Sequence, residues 1–212
     1  MKTILFNGSP RKRWNTAALL NSALEGAASE GAETELIHLY DLNFKGCQSC
    51  FACKTKGGKS YGQCAIKDDL APVLKKVEEA DTIILGSPIY FGEVTGEMRS
   101  FLERLMFPYG MYTNPYQSLF PRRINVGLIY NGNITQDQFS RYSHLNIAKE
   151  MLELIFGKVE SFFSFDTLQF EDYSKVVADN FDPEKKARIR REEFPKDCQK
   201  AFEMGARLSR KE

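Results

Sequence analysis

Residues 2–16, KTILFNGSPRKRWNT, decide the architecture of this chain. KTILFN (2–7) is a short apolar run of strand formers, GSPRKRWNT follows as a loop, and a helical pattern begins directly behind it. Leu20, Leu24 and Ala27 lie on one stripe of that helix, and TELIHLY (34–40) predicts a second strand. Strand, helix and strand joined this way make a parallel pair with a crossover connection. The alternation continues along the chain. Leu70, Val73, Leu74 and Val77 predict a helix started by Asp68, and DTIILGS (81–87) predicts a strand buried on both faces. Met98, Phe101, Leu102 and Leu105 mark a third helix, INVGLIYNG (124–132) a fourth strand, and Leu145 to Ile155 a helix ended by Gly157. VESFFSFDTLQF (159–170) predicts a fifth strand, and a last helix carries Cys198, Phe202, Gly205 and Leu208. Five strands alternating with helices predict an α/β fold around a mostly parallel sheet.

Composition narrows the function classes. The chain has 212 residues, 29 Lys+Arg against 28 Asp+Glu, and a net charge of +1, which gives no sustained field for nucleic acid or an anionic membrane. Hydrophobic residues at 42% supply a core and exclude disorder as the main state. No apolar run approaches the roughly 18 residues that cross a bilayer, and MKTILFNGSPRKRW lacks an extended secretion segment, so a cytoplasmic protein without membrane partners is expected. The expected organisation is one domain over 1–212 with a cysteine-rich insertion at 43–67, an aromatic connection at 107–122 and a C-terminal extension at 171–212. Insertions of that length in a compact domain tend to carry function or assembly.

In open α/β sheets, ligands bind at the carboxyl ends of the strands. The loop GSPRKRWNT stands there: Gly8 lets a ligand approach the backbone, Ser9, Asn15 and Thr16 bring polar side chains, and Arg11, Lys12 or Arg13 can neutralise a phosphate before a helix N-terminus. The stretch matches neither GxxxxGK[ST] nor GxGxxG, which argues against a nucleoside triphosphatase and a Rossmann dinucleotide site. The segment GSPIYFGEVTGEMRSFLER after the third predicted strand adds Pro88, which stiffens the backbone as it leaves the sheet, and the aromatic surface of Tyr90 and Phe91. One loop suits a phosphate ester and the other a flat heteroaromatic ring.

These two segments, with GQCAIKDDL between them, resemble the flavodoxin-like NAD(P)H-dependent FMN reductases and multimeric flavodoxins over about residues 1 to 160. The resemblance implies a flavodoxin-like three-layer sandwich with a five-stranded parallel sheet. It also implies an FMN phosphate at Ser9, Arg11, Asn15 and Thr16, and an isoalloxazine at Pro88, Ile89, Tyr90 and Phe91, with Asn131 and Gly132 completing the pocket. NAD(P)H would be the reductant, a quinone, flavin, nitroaromatic or protein the acceptor, and a homodimer or homotetramer the assembly.

Four of the five cysteines, Cys47, Cys50, Cys53 and Cys64, fall within eighteen positions. Such clustering suits metal or redox chemistry better than a disulfide framework. Their spacing resembles the compact motif of iron-sulfur flavoproteins, which implies a [4Fe–4S] cluster, although the last gap is longer than in that branch and contains Lys54, Lys56, Gly57, Gly58 and Lys59. A four-sulfur zinc site and uncoordinated redox thiols are the alternatives. Cys198 belongs to a buried stripe. His38 and His144 are expected to be structural, and the run Lys185, Lys186, Arg188, Arg190, Arg191 to be a solvated helix face. The leading expectation is an FMN-dependent oxidoreductase. An iron-sulfur flavoprotein electron carrier and a non-catalytic flavin-binding or regulatory protein stand beside it.

Overall fold

A computed structural model describes residues 1–211 of the chain. Five parallel strands run in the order β2-β1-β3-β5-β6: β1 (Lys2–Asn7), β2 (Glu33–His38), β3 (Thr82–Tyr90), β5 (Asn125–Asn131) and β6 (Val159–Ser164). A two-residue strand, β4 (Glu93–Val94), folds back antiparallel on the end of β3. Strand side chains alternate between faces, and the core divides accordingly. Ile4, Phe6, Ile83, Leu85, Val126 and Leu128 point into one cluster with α2 (Leu70–Glu79), α3 (Gly96–Met106) and α4 (Leu145–Ile155). Leu5, Ile84 and Ile129 point into the other, against α1 (Asn15–Ser29) and α6 (Phe194–Leu208). This is the flavodoxin-like three-layer sandwich with a five-stranded parallel sheet.

On the second face α1 and α6 cross with their backbones in near contact. A Cβ added at Gly26 would overlap the Phe202 carbonyl, and one at Gly205 would overlap the Ala23 carbonyl. Two glycines facing each other's helix allow that approach, which draws the C-terminal stretch into the body of the sandwich.

Three boundaries differ from the sequence reading. Strand β3 continues through Pro88, whose Cα is in register with Asn131 of β5, so the proline lies in the sheet rather than beyond it. Strand β2 stops at His38 and Leu39–Asp41 forms a 3-10 turn. Strand β6 stops at Ser164: Asp166 adopts φ 49°, and the chain leaves the sheet there. The apolar run beyond Ser164 reflects aromatic packing, because the Phe165 ring stacks on Phe163 at 4.7 Å and meets Phe139 edge-on.

The basic run also departs from expectation. It forms α5 (Pro183–Glu192), and Lys186 is only 2% exposed. Its Nζ donates to an Asp166 carboxylate oxygen and, at 2.9 Å, to Asn133 Oδ1. Burial works against ionising Asp166, but hydrogen bonds from Lys185 and Lys186 outweigh it and hold the carboxyl below its usual range. A helix that looks wholly solvated by composition is thus pinned to the loop after β6.

Candidate functional site

The carboxyl ends of β1, β3 and β5 converge on one edge of the sheet. At β1, Asn7 is buried and its Oδ1 accepts the Ser9 amide at 2.9 Å, while Ser9 Oγ accepts the Arg11 amide at 3.1 Å. The loop is therefore wound around its own polar side chains, as Asx and Ser turns are. Helix α1 then opens at Trp14, which supplies no side-chain cap, and its first turn carries no acid. First-turn amides without such an acceptor, together with the positive end of the helix dipole, form an anion site. Thr16 Oγ1 donates to Asn131 Oδ1 at 2.7 Å and ties α1 to the end of β5.

The second loop is locked to the first. Thr95 caps α3, accepting the Met98 amide at 3.3 Å, and its Oγ1 donates to the Gly8 carbonyl at 2.6 Å. Between β3 and β4, Phe91 (φ 51°) and Gly92 (φ 95°) form a two-residue hairpin turn with both centres left-handed. Glycine adopts that conformation freely; a bulky aromatic does so at a cost of about 1–2 kcal/mol. Phe91 pays that cost while its side chain stands fully exposed beside the site. The turn is braced by His144, whose Nε2 lies 2.8 Å from the Gly92 carbonyl oxygen. His38 pairs instead with Asn7 Nδ2 at 3.0 Å, and burial pulls its pKa down. Both histidines thus have structural partners.

Nine of the ten residues expected at a flavin site line one cleft of about 110 Å³: Ser9, Arg11, Asn15, Thr16, Pro88, Ile89, Tyr90, Asn131 and Gly132. Phe91 lines an adjoining cleft of about 410 Å³, which shares Ile89 and Gly132 with the first. The sequence reading missed the segment after β6, which folds over the phosphate-type loop. The Leu168 carbonyl accepts from Trp14 Nε1 at 2.9 Å and Asn15 Nδ2 at 2.7 Å, and the Gln169 carbonyl accepts from Arg11 at 2.6 Å. Arg190 of α5 reaches the remaining oxygen of the Asn15 amide at 3.0 Å, so that amide is committed to holding the segment down. The Arg11 guanidinium also lies 3.8 Å over the Trp14 ring. Backbone carbonyls leave no signal in a sequence. Thr95 did leave one, a Thr just before a helical stripe with Glu97 in its first turn.

The four clustered cysteines line one small, mostly apolar cavity with Phe107, Pro108 and Arg104. Ser49 (φ 52°) and Phe51 (φ 54°) flank Cys50 in left-handed backbone, a held rather than relaxed loop. Burial pushes the Cys53 thiol up in pKa. Lys54 turns its Nζ onto the carbonyls of Phe107 and Gly110 and, at 3.2 Å, of Pro108, which fastens the cysteine loop to the aromatic connection. Among the described residues, no three His, Cys, Asp or Glu side chains are gathered as a site for one metal ion. A [4Fe–4S] cluster takes four thiolates, and the four thiols that line this cavity are ligands of that kind and number.

The family model of the NADPH-dependent FMN reductases matches residues 1–121, a span that contains both loops and the cysteines. The chain belongs to the NADPH-dependent FMN reductase family. Within the matched span lie β1 to β4, α1 to α3 and the whole phosphate-type loop. Among curated proteins, an iron-sulfur flavoprotein of Methanocaldococcus jannaschii is 45% identical over 104 residues, 49% of this chain and 51% of that protein. One from Methanosarcina thermophila is 31% identical over 104 residues, 49% of this chain and 52% of that protein. The chain spans about half the length of the curated relatives it matches. Solved structures share the fold across nearly the whole chain. An NAD(P)H:quinone oxidoreductase from Methanothermobacter marburgensis superposes with TM-score 0.70 at 13% identity, covering 98% of both chains. An FMN-dependent NADH-azoreductase from Bacillus anthracis gives 0.68 at 16% identity, covering 99% of this chain and 100% of that one. No helix of this family member, among the described residues, is long and apolar enough to cross a membrane.

Proposed function

We propose that the chain is an FMN-dependent oxidoreductase that takes reducing equivalents from NAD(P)H and delivers them to a second acceptor, a quinone, flavin, nitroaromatic or protein. The observation that carries this reading is the single cleft in which both loops meet, inside the span that matches the FMN reductase family. The donor set suits FMN: an uncapped helix N-terminus with Ser9, Arg11 and Thr16 for the phosphate, and the end of β3 with Ile89, Tyr90 and Phe91 for a flat ring. Bound there, FMN supplies the hydride and electron chemistry. The chain supplies position. Thr95 ties the second loop to the first and Thr16 ties α1 to the end of β5, the segment 165–169 shields the phosphate end, and exposed Tyr90 and Phe91 leave the ring end open to a second substrate. The hydride step requires no side-chain acid or base, and both histidines already have structural partners, Asn7 for His38 and the Gly92 carbonyl for His144.

The test is steady-state NADH and NADPH oxidation by protein first stripped of flavin, with and without FMN restored, against a panel of quinone, nitroaromatic and free-flavin acceptors. Oxidation that needs both FMN and an acceptor is expected; oxidation by the flavin-free protein equal to that with FMN restored contradicts the reading.

A second reading is favoured by the cysteine cavity. Its four thiols and the relatives named iron-sulfur flavoproteins support a [4Fe–4S] cluster held by Cys47, Cys50, Cys53 and Cys64, beside FMN rather than in place of it. Self-association as a homodimer or homotetramer is supported by the outward stripe Ile147, Met151 and Leu154 on α4, of which Ile147 and Leu154 are exposed.

A further inference from the structure

Arg104 lies on α3 and is, among the described residues, the largest fully buried side chain. A buried guanidinium is costly unless its donors are all used, and here five contacts serve five N–H groups. Nη1 meets Asp68 Oδ2 at 2.5 Å and the Lys45 carbonyl at 3.2 Å. Nη2 meets Asp68 Oδ1 at 3.0 Å and the Ile66 carbonyl at 3.4 Å, and Nε points at Cys64 Sγ from 3.4 Å. The bidentate pair with Asp68 alone would satisfy the charge. The remaining three donors reach both ends of the cysteine loop and its last thiol. Next to it on α3, Glu103 Oε2 accepts the Cys47 amide at 3.1 Å. Consecutive residues of one helical turn thereby seat the first and the last cysteine of the motif.

That placement answers a difficulty of chain length. Ten residues, with glycines at 57, 58 and 62, separate Cys53 from Cys64. Backbone turns fold that stretch and the Gly62 amide donates to the Cys53 carbonyl at 3.0 Å, but these bonds end at Gln63 and leave the Cys64 side chain to be fixed by other contacts. We propose that Arg104 is the positioning residue for Cys64, clamping residues 45 and 66–68 so that the fourth thiol faces the other three across the cavity. This inference rests on the cluster reading above. It assigns Arg104 no contact with FMN, whose cleft it does not line.

The experiment compares wild type, Arg104→Lys, Arg104→Met and Cys64→Ser, each as the full chain, refilled anaerobically with ferric iron, sulfide and a thiol reductant. Bound iron and acid-labile sulfide, the electron paramagnetic resonance signal after reduction, and amide hydrogen exchange of residues 45–68 before refilling are measured. Helical circular dichroism reports folding. Arg104→Met is expected to retain no more than about a tenth of the wild-type iron and sulfide, as Cys64→Ser does. Arg104→Lys keeps the charge but loses the fork, and is expected to hold an intermediate amount with an altered resonance signal. In both Arg104 variants loop amides should exchange at least tenfold faster while helicity is kept. If Arg104→Met does not fold, Arg104→Lys decides. Wild-type loading, signal and loop protection in a folded Arg104 variant would overturn the proposal and leave the cluster reading standing. A wild-type chain that takes up neither iron nor sulfide would remove the cluster reading and this proposal together.

Discussion

Arg11→Ala is expected to raise the dissociation constant for FMN by about 10- to 100-fold and to leave riboflavin binding nearly unchanged. The magnitude follows from the net value of a hydrogen bond to a charged group, about 1.5–3 kcal/mol, with each 1.4 kcal/mol worth a factor of ten. Arg11 is suited to the task because its guanidinium is already ordered, stacked over Trp14 and bonded to the Gln169 carbonyl, so less side-chain entropy is lost on binding. The same contacts create a second route by which the substitution could act, through loosening of the segment after β6. Riboflavin separates the two routes because it keeps the ring and lacks the phosphate. Fluorescence titrations of both ligands against wild type and variant form a double cycle. A loss confined to FMN assigns Arg11 to the phosphate. Equal losses for both ligands would assign it to the covering segment and reject the phosphate contact.

Gly205→Val is expected to destabilise the fold by about 3 kcal/mol or more, read as a lowered urea midpoint with an unchanged slope. Ordinary overpacking is relieved when a flexible side chain swings aside. At Gly205 the obstacle is the backbone of Ala23, and at Gly26 it is the backbone of Phe202, so relief requires α1 and α6 to separate. Separation would expose Leu19, Leu20, Met204 and Leu208, all buried between those helices and the sheet. It would also tilt the N-terminus of α1, which opens the phosphate-type loop. The contrast is Gly96→Ala at the start of α3: a Cβ there meets nothing within 4 Å, and the change is expected to stabilise by at most about 1 kcal/mol. Comparable midpoints for Gly205→Val and Gly96→Ala would show that the helix crossing is not the constraint described.

Much of the scaffold is legible because its signals are local. The apolar run Ile4, Leu5 and Phe6, one helix-length ahead of TELIHLY, identifies a strand of a parallel pair, and the polar residues of GSPRKRWNT mark where it ends. Arg11, Thr16 and the Pro88–Tyr90 stretch could be placed because loops after strands collect at one sheet edge in such folds. What escaped the sequence depends on distant partners. Strand β6 looked longer than it is because Phe165 is apolar for the sake of Phe163 and Phe139, not of a sheet. Lys186 looked solvated because Asp166, its partner, lies twenty positions away across a turn. Arg104 stands in a stripe of Phe101, Leu102 and Leu105 with nothing nearby in sequence to show that Asp68 and Cys64 receive it. The segment 168–169 contributes main-chain oxygens, which any residue carries.

The proposed function requires that this cleft hold FMN and that NAD(P)H reduce the flavin in it. The visible absorbance spectrum of the freshly purified protein, handled anaerobically, supplied with FMN, freed of excess and then given NADH or NADPH, tests it most directly. A flavin band retained at close to one FMN per chain and bleached by a pyridine nucleotide is the expected result. A colourless protein that neither retains nor takes up FMN would contradict the account.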